Sequence, residues 1–374
     1  MSTIYDEAKK FAEANIAPYS KEIDETAQFP VEIFKKIGEA GYFKLLIPEE
    51  FGGKGGNLRD HVDVCMAFAE GNPSVALCYM MHNVAATCLL AYGSPKLKAQ
   101  IINDIVKNEQ FMALAYSEFG TGTHFYKSEI KVSIDGDTYT FNGVKSMVTS
   151  AEAAKYYMVV APDNQGNIDN WIFPLDTPGI SFEQRAWHGI GMRGNVSCPM
   201  KLDNVSLNTF YRLGEAGSGM EQALTSVSPP FVLGLAAIYT GLSLQLLKIA
   251  TGYAQKRVYP DGQALSHIET VQIHLSNIYA SSQASRAFTL ETAEAAVAGA
   301  PDALARILAS RILASETAIE SGRLAMRVGG GKAYNQTTLI ETLLRDSYAG
   351  QIMAPSVDVL HVWLGKVLTD QPIP

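Results

Sequence analysis

Cysteine is scarce in this chain: Cys65, Cys78, Cys88 and Cys198 are all that 374 residues contain, and they show neither metal-ligand spacing nor a disulfide framework. They read as small apolar residues of a reducing, cytoplasmic compartment, and no metal site is expected. Blocks of Lys or Arg are missing too, and with a net charge of −8 and a pI of ≈ 5.5 nucleic acid is not expected as the main partner. The N-terminal stretch MSTIYDEAKKF is charged from the outset and lacks a signal-peptide core. Short-period repeats and low-complexity segments are absent. No glycine loop of Walker or Rossmann type is present to hold a phosphate. Charge disappears altogether from Gln222 to Leu247, a length that suffices to cross a bilayer. That stretch nevertheless carries Pro229-Pro230 and several Ser, Thr and Gln residues, so it reads as a helix buried in a bundle and not as a membrane span.

What remains is an ordinary globular composition, 47% hydrophobic and 18% charged, long enough for two or three domains. Residues 1–111 read as a helical domain: Ala8-Phe11-Ile16 and Ile33-Phe34-Ile37 have helical spacing, and Pro18 and Pro30 mark boundaries. The loop Pro48-Glu-Glu-Phe-Gly-Gly-Lys-Gly55 interrupts the helices, which resume over His61–Glu70 and Val75–Ala91. His82 falls in the second of these and reads as a core or interface histidine.

Between 112 and 213 the hydrophobic period changes to two, the mark of a small β-domain. Ala113–Ser117 runs into a glycine-rich turn, Gly120-Thr-Gly-Thr123, where glycine permits positive φ and close backbone approach while Ser117 and Thr123 supply hydroxyls. Taken alone, this stretch reads as an ordinary meander. Strands are expected at Ile130–Ile134, Tyr156–Ala161, Asn170–Leu175, Ser181–Glu183 and Met200–Val205. Turns are expected at Asp135-Gly136, Asn142-Gly143, Asn164–Asn167, Asp176–Gly179 and Asp203-Asn204. From 214 to 374 the pattern is helical again, over Leu233–Tyr253, Ile268–Ala287, Ala303–Met326 and a last helix from Thr338 toward Tyr348, joined as an antiparallel bundle. The fold class is therefore α+β.

Several segments in this order resemble the acyl-CoA dehydrogenase family of flavoproteins over nearly the whole chain. They are the Pro48–Gly55 loop, Glu118-Phe-Gly-Thr-Gly-Thr123, Gly143-Val-Lys-Ser-Met-Val-Thr149, Gly191-Met-Arg193, Tyr253-x-x-x-Arg257, Gln272, Gly329-Gly-Gly331 and Arg345-Asp346. The resemblance implies FAD as cofactor, with Tyr116, Ser117, Gly122, Thr123, Met147 and Thr149 among its contacts. It implies that Arg257, Gln272 and Gly331 complete the far end of a flavin held by a neighbouring subunit, and that Arg327 and Ser356 also belong to the cofactor set. Arg257 suits a pyrophosphate, which a guanidinium grips with two hydrogen bonds; its bland alternative is a surface charge at a helix end. A homotetramer, or at least a dimer, follows from sharing the site. The implied substrate is an acyl-CoA or carrier-bound acyl thioester, and the implied electron acceptor is a transfer partner or oxygen.

The departures from the family are as informative. Its reaction needs a carboxylate at the substrate α-carbon, and the segment that usually carries it reads Gln351-Ile-Met-Ala354-Pro-Ser356 here. The alternative position, on the long C-terminal helix, matches Phe231. No acidic residue occurs from 223 to 260 or from 347 to 357. A lost general base costs about 10²–10⁴ in rate. Asp358 is a candidate relocated base, one turn past Ala354 if the segment is helical, or else a solvent-facing or capping residue. Glu118 is a second candidate, structural in the family. His124 replaces the family's usual Asp, and Met147 replaces a ring-stacking Trp while still packing adaptably against aromatics. Three expectations stand: an acyl-thioester oxidoreductase with a displaced base or running in the reductive direction, a flavin monooxygenase of the same fold, or a flavin-binding subunit without turnover.

Overall fold

The computed structural model describes residues 3–373; the outer limits of the expected domains, 1 and 374, lie outside them. Six α-helices come first: α1 (Thr3–Asn15), α2 (Ser20–Thr26), α3 (Val31–Glu39), α4 (Leu58–Ala69), α5 (Pro73–Tyr92) and α6 (Pro95–Asn108). Their starts are written in side chains. Asn57 accepts from the backbone of Arg59 and Asp60 while Asp60 reaches back to the Asn57 N–H at 2.9 Å, a complete capping box for α4. Asn72 and Ser94 cap α5 and α6, each followed by proline at the first helical position. α5 is apolar all round and buried almost throughout, as a helix without a polar face must be. His82 on α5 is fully buried and accepts from the Met112 N–H at Nδ1 (3.0 Å) while donating from Nε2 to the Phe43 carbonyl (2.7 Å). It is the satisfied core histidine expected.

The strands form two four-stranded sheets. One is ordered β1 (Met112–Ala115), β4 (Tyr156–Pro162), β5 (Ile168–Pro174), β8 (Arg212–Leu213). The other is β2 (Lys131–Asp135), β3 (Thr138–Val148), β7 (Cys198–Asn208), β6 (Ile180–Phe182). Among the described residues only β1 and β4 pair in parallel, with Met112 opposite Tyr156. Asp135-Gly136 makes the β2–β3 turn as expected, but two other expected turns lie inside strands. Asn142-Gly143 in β3 and Asp203-Asn204 in β7 face each other where the register slips. Asn204 donates its N–H to the Asn142 side chain at 2.8 Å and takes φ 53°, so the pair forms a bulge. Asn-Gly and Asp-Asn signal positive φ; a bulge uses that freedom as well as a hairpin does.

The C-terminal half comprises a short α7 (Gly219–Gln222), a π-helical turn (Ala223–Val227), α8 (Ser228–Lys256), α9 (Glu269–Val297), α10 (Ala303–Tyr334), α11 (Ile340–Ile352) and α12 (Val357–Leu368). The sequence reading stopped at α11; α12 is an additional helix. It seats Val357 and Leu360 on Leu308 and Ile312 of α10, a small core apart from the main one. The chain breaks between α11 and α12 at a cis Ala354-Pro355 bond, after which Ser356 caps α12. α5 and the continuous stretch Gly219–Lys256 are long and apolar enough to cross a membrane, yet 83% of the most apolar window of each is buried inside the protein. Their apolar surface is spent on the core. All four cysteines are free and buried.

Candidate functional site

The glycine turn leaves β1 and is tied down at several points. The Ser117 carbonyl accepts from the Ser146 N–H at 2.9 Å, which binds the turn to β3. Tyr116 donates its hydroxyl to Asn170 at 2.5 Å, and Asn170 in turn donates to Gln222 at 3.0 Å, at the end of α7. Beneath the turn Glu118 is buried and paired with the equally buried Lys145; its carboxylate also accepts from the Ser128 hydroxyl and the Glu129 N–H. Burial lowers the Lys145 ammonium to about 8, with Glu118 pulling it back up. A carboxylate with those partners holds the turn; it faces a lysine rather than an open cleft. Gly122 takes φ 54°, and a Cβ there would meet nothing within 4 Å.

β3 ends in a second irregularity between Lys145 and Val148. Met147, at φ 44°, is turned out of the strand and stands 52% exposed next to the turn. Thr149 shares a 2.9 Å hydrogen bond with Ser197, and the Ser150 N–H donates to Asn195, whose carbonyl lies against Cys78 of α5. Tyr116, Ser117, Gly122, Thr123, Met147 and Thr149 are thus grouped at one edge of the β-domain. His124 is exposed beside them, hydrogen-bonded to Tyr126 at 2.7 Å.

A different group gathers at the far end of α8. Arg257 closes that helix, exposed, with Nη1 donating to the Tyr253 hydroxyl at 3.1 Å and the guanidinium 5.5 Å from the Tyr259 ring centroid. Nearby lies a groove of about 500 Å³ lined by Tyr253, Gly331, Lys332, Asn335, Thr337 and Thr338. Gly330 breaks the helical path of α10 there with φ 53° and ψ −141°, and a Cβ on Gly330 or Gly331 would meet nothing within 4 Å. Gln272 in the first turn of α9 and Arg327 on α10 are exposed. Open backbone, amides, hydroxyls and Arg or Lys side chains suit an anionic dinucleotide.

These two groups do not meet within one chain. Gln222, bonded to the Tyr116 network, precedes the start of α8, and Arg257 follows its end; at 1.5 Å per residue the 29-residue helix between them is about 43 Å long.

The positions expected for an acid are apolar in space as well as in sequence. Ala354 is half-buried in the break between α11 and α12. Phe231 lies in the first turn of α8, next to Pro230, whose carbonyl accepts from His61 Nε2 at 3.0 Å. The single helical turn expected from Ala354 to Asp358 is not formed, because α11 ends at Ile352 and Ser356 caps a new helix that starts at Val357. Asp358 is exposed in the first turn of α12, and the Ser356 hydroxyl caps the Val359 N–H. The buried acid nearest in sequence is Asp346 on α11, which accepts from the Met192 N–H and is raised to about 7 by burial, with that N–H bond acting against the rise. Its neighbour Arg345 binds Asp24 of α2, Glu341 and the Ile190 carbonyl. Arg345-Asp346 therefore joins the N-terminal helices, the Gly191 loop and the C-terminal bundle. The sequence reading named Glu118, Lys145 and Arg345-Asp346 within motifs but had no signal that Glu118 pairs with Lys145 or Arg345 with Asp24.

Three family models match: acyl-CoA dehydrogenase N-terminal domain over residues 2–109, middle domain over 113–205 and C-terminal domain over 217–361. Among curated proteins the chain is similar to the probable acyl-CoA dehydrogenase YngJ of Bacillus subtilis, 26% identical over 96% of this chain and 95% of that protein. It is 29% identical to mitochondrial isovaleryl-CoA dehydrogenase of Oryza sativa subsp. japonica, over 96% of this chain and 88% of the other. A 3-(aryl)acrylate reductase of Clostridium sporogenes is 27% identical over 91% of this chain and 90% of its own. In fold, butyryl-CoA dehydrogenase from Megasphaera elsdenii superposes with a TM-score of 0.92 at 22% identity, covering 99% of both chains.

Proposed function

The chain belongs to the acyl-CoA dehydrogenase family, and from that premise we propose that it is an FAD-dependent oxidoreductase of acyl thioesters, carried on CoA or a carrier protein, with Ala354 where the usual Glu base would stand. The reaction is CH–CH oxidation or the reverse reduction. Bound FAD would supply the hydride acceptor or donor. The observation that carries this reading is the pair of separated polar surfaces: the tethered turn at 116–123 with Met147 and Thr149, and the open groove by Arg257 and Gly331.

The residues fit a dinucleotide flavin on this chain's own features. Gly122, Gly330 and Gly331 leave open space where any side chain would intrude, and Arg257 presents a guanidinium that no carboxylate among the described residues occupies. The length of α8 puts the two groups too far apart for one flavin to touch both in a single copy. A second copy must bring its own Arg257 end to the first copy's glycine turn, which supports a homotetramer or at least a dimer. Tyr279 on α9 and Tyr348 and Ile352 on α11 are large apolar side chains left exposed, as a second copy would need. Free buried thiols agree with a reducing, cytoplasmic setting.

The absence of acid at 354 and 231 favours a second reading, a flavin monooxygenase of this fold, which draws electrons and oxygen to the same site and needs no α-carbon base. One experiment separates the two. FAD-loaded protein is reduced with dithionite without oxygen, then mixed with enoyl-CoAs. Return of the oxidised flavin spectrum supports the thioester reaction; reoxidation by oxygen alone moves the assignment to the monooxygenase. Flavin that responds to neither marks a binding subunit without turnover.

A further inference from the structure

Buried charge in this protein is paired with opposite charge at Glu118–Lys145 and Asp24–Arg345, but not at Arg311. Arg311 lies on α10 with no exposed surface, inside the C-terminal bundle. Its Nη2 donates to the Gly350 carbonyl in the last turn of α11 at 2.9 Å. Its Nε and Nη1 have no acceptor among the described residues, and no carboxylate there lies within ion-pair distance. The guanidinium sits 5.0 Å from the ring centroid of Tyr239 on α8, and the Tyr239 hydroxyl, equally buried, has no partner either. Burial lowers Arg311 only to about 10, so it is a cation at neutral pH, while burial pushes the Tyr239 phenol up and keeps it an O–H donor. Asp346, whose charge reaches Tyr239, spends its carboxylate on the Met192 N–H.

The interior of the bundle therefore holds one positive charge and donors on two side chains with no carboxylate hydrogen-bonded to them among the described residues. Water would satisfy the N–H and O–H groups but leave the charge uncompensated, and buried charges are paired or strongly disfavoured. A small anion suits a place where both side chains are fully buried. A monatomic anion accepts from N–H and O–H groups alike and donates to none. We propose that Arg311 and Tyr239 together hold a small inorganic anion, of the halide class, inside the C-terminal bundle. Through the Gly350 carbonyl the same guanidinium steadies the end of α11 that leads to the Ala354-Pro355 break. The proposal is independent of the reaction catalysed.

Bromide is the probe. Crystals of the full-length protein grown or soaked in sodium bromide should show an anomalous scattering peak between the Arg311 guanidinium and the Tyr239 oxygen. In solution Tm should rise with bromide or chloride and saturate, relative to gluconate at equal ionic strength, and Arg311→Met should lose that halide-specific rise. If that variant does not fold, Tyr239→Phe removes one donor while preserving shape, and should shift the half-saturating bromide concentration upward. The absence of an anomalous peak, together with equal melting of the wild-type protein in bromide and gluconate, overturns the proposal.

Discussion

The stretch 116–150 and the stretch 350–358 both border the expected reaction site, and their physical chemistry is opposite. The first buries one opposite-charge pair, Glu118–Lys145, and is tied to the fold through the Tyr116–Asn170–Gln222 chain of hydrogen bonds. The second is a break containing Ala354 and a proline that cannot donate, followed by a helix whose first acid faces solvent. Cofactor holding and proton handling are thus separable in this fold. In the proposed reading the first stretch serves cofactor holding, while positions 354 and 231, where the family resemblance leads one to expect an acid, are Ala and Phe.

That contrast breaks most forcefully if a carboxylate is placed in the second stretch. Ala354→Glu should accelerate anaerobic flavin reduction by a reactive acyl-CoA by about 10²–10⁴-fold, the usual contribution of a general base, measured by stopped-flow absorbance. An unchanged rate would mean that the local backbone no longer presents this position to substrate. Damage to the first stretch comes next. Lys145→Met leaves the Glu118 carboxylate buried without its cation, which should cost about 3–5 kcal/mol in urea unfolding and release bound FAD. Adding Glu118→Gln to that variant should recover much of the loss.

The joint between the regions should reveal itself through pH. Asp346 is raised to about 7 in the folded protein against an ordinary carboxylate value near 4. The folded state then holds a proton that the unfolded state has released, so stability is fullest below about 4 and falls as pH climbs through about 7. Asp346→Asn should flatten this part of the stability profile, read as urea midpoints across that range; an unaltered slope would assign it to other groups. The smallest effect belongs to Asp358. Asp358→Asn removes a helix-start charge worth about 0.3–1 kcal/mol and should leave flavin reduction unchanged. Loss of reduction with FAD still bound would instead identify Asp358 as a relocated base.

Much of this molecule was legible because local periodicity decides it. Tyr156–Ala161 lies wholly within β4, and His82 is the core histidine its apolar helix implied. Motif order pointed to the glycine turn and to Arg257. Other features depend on partners distant in sequence and had no local mark. Glu118 meets Lys145 across 27 residues and Arg345 meets Asp24 across 321. Asn142 and Asn204 were misread because positive φ serves a bulge as readily as a turn. α12 was missed because Pro355 ends one helix without announcing that Ser356 starts another.

The most direct test of the account is an anaerobic titration of the FAD-loaded protein with a panel of acyl-CoAs, following the visible absorbance of the flavin. The account predicts that at least one acyl-CoA bleaches it, slowly for want of a carboxylate at 354. A flavin that remains oxidised with every acyl-CoA, in the wild-type protein and in Ala354→Glu alike, would contradict it.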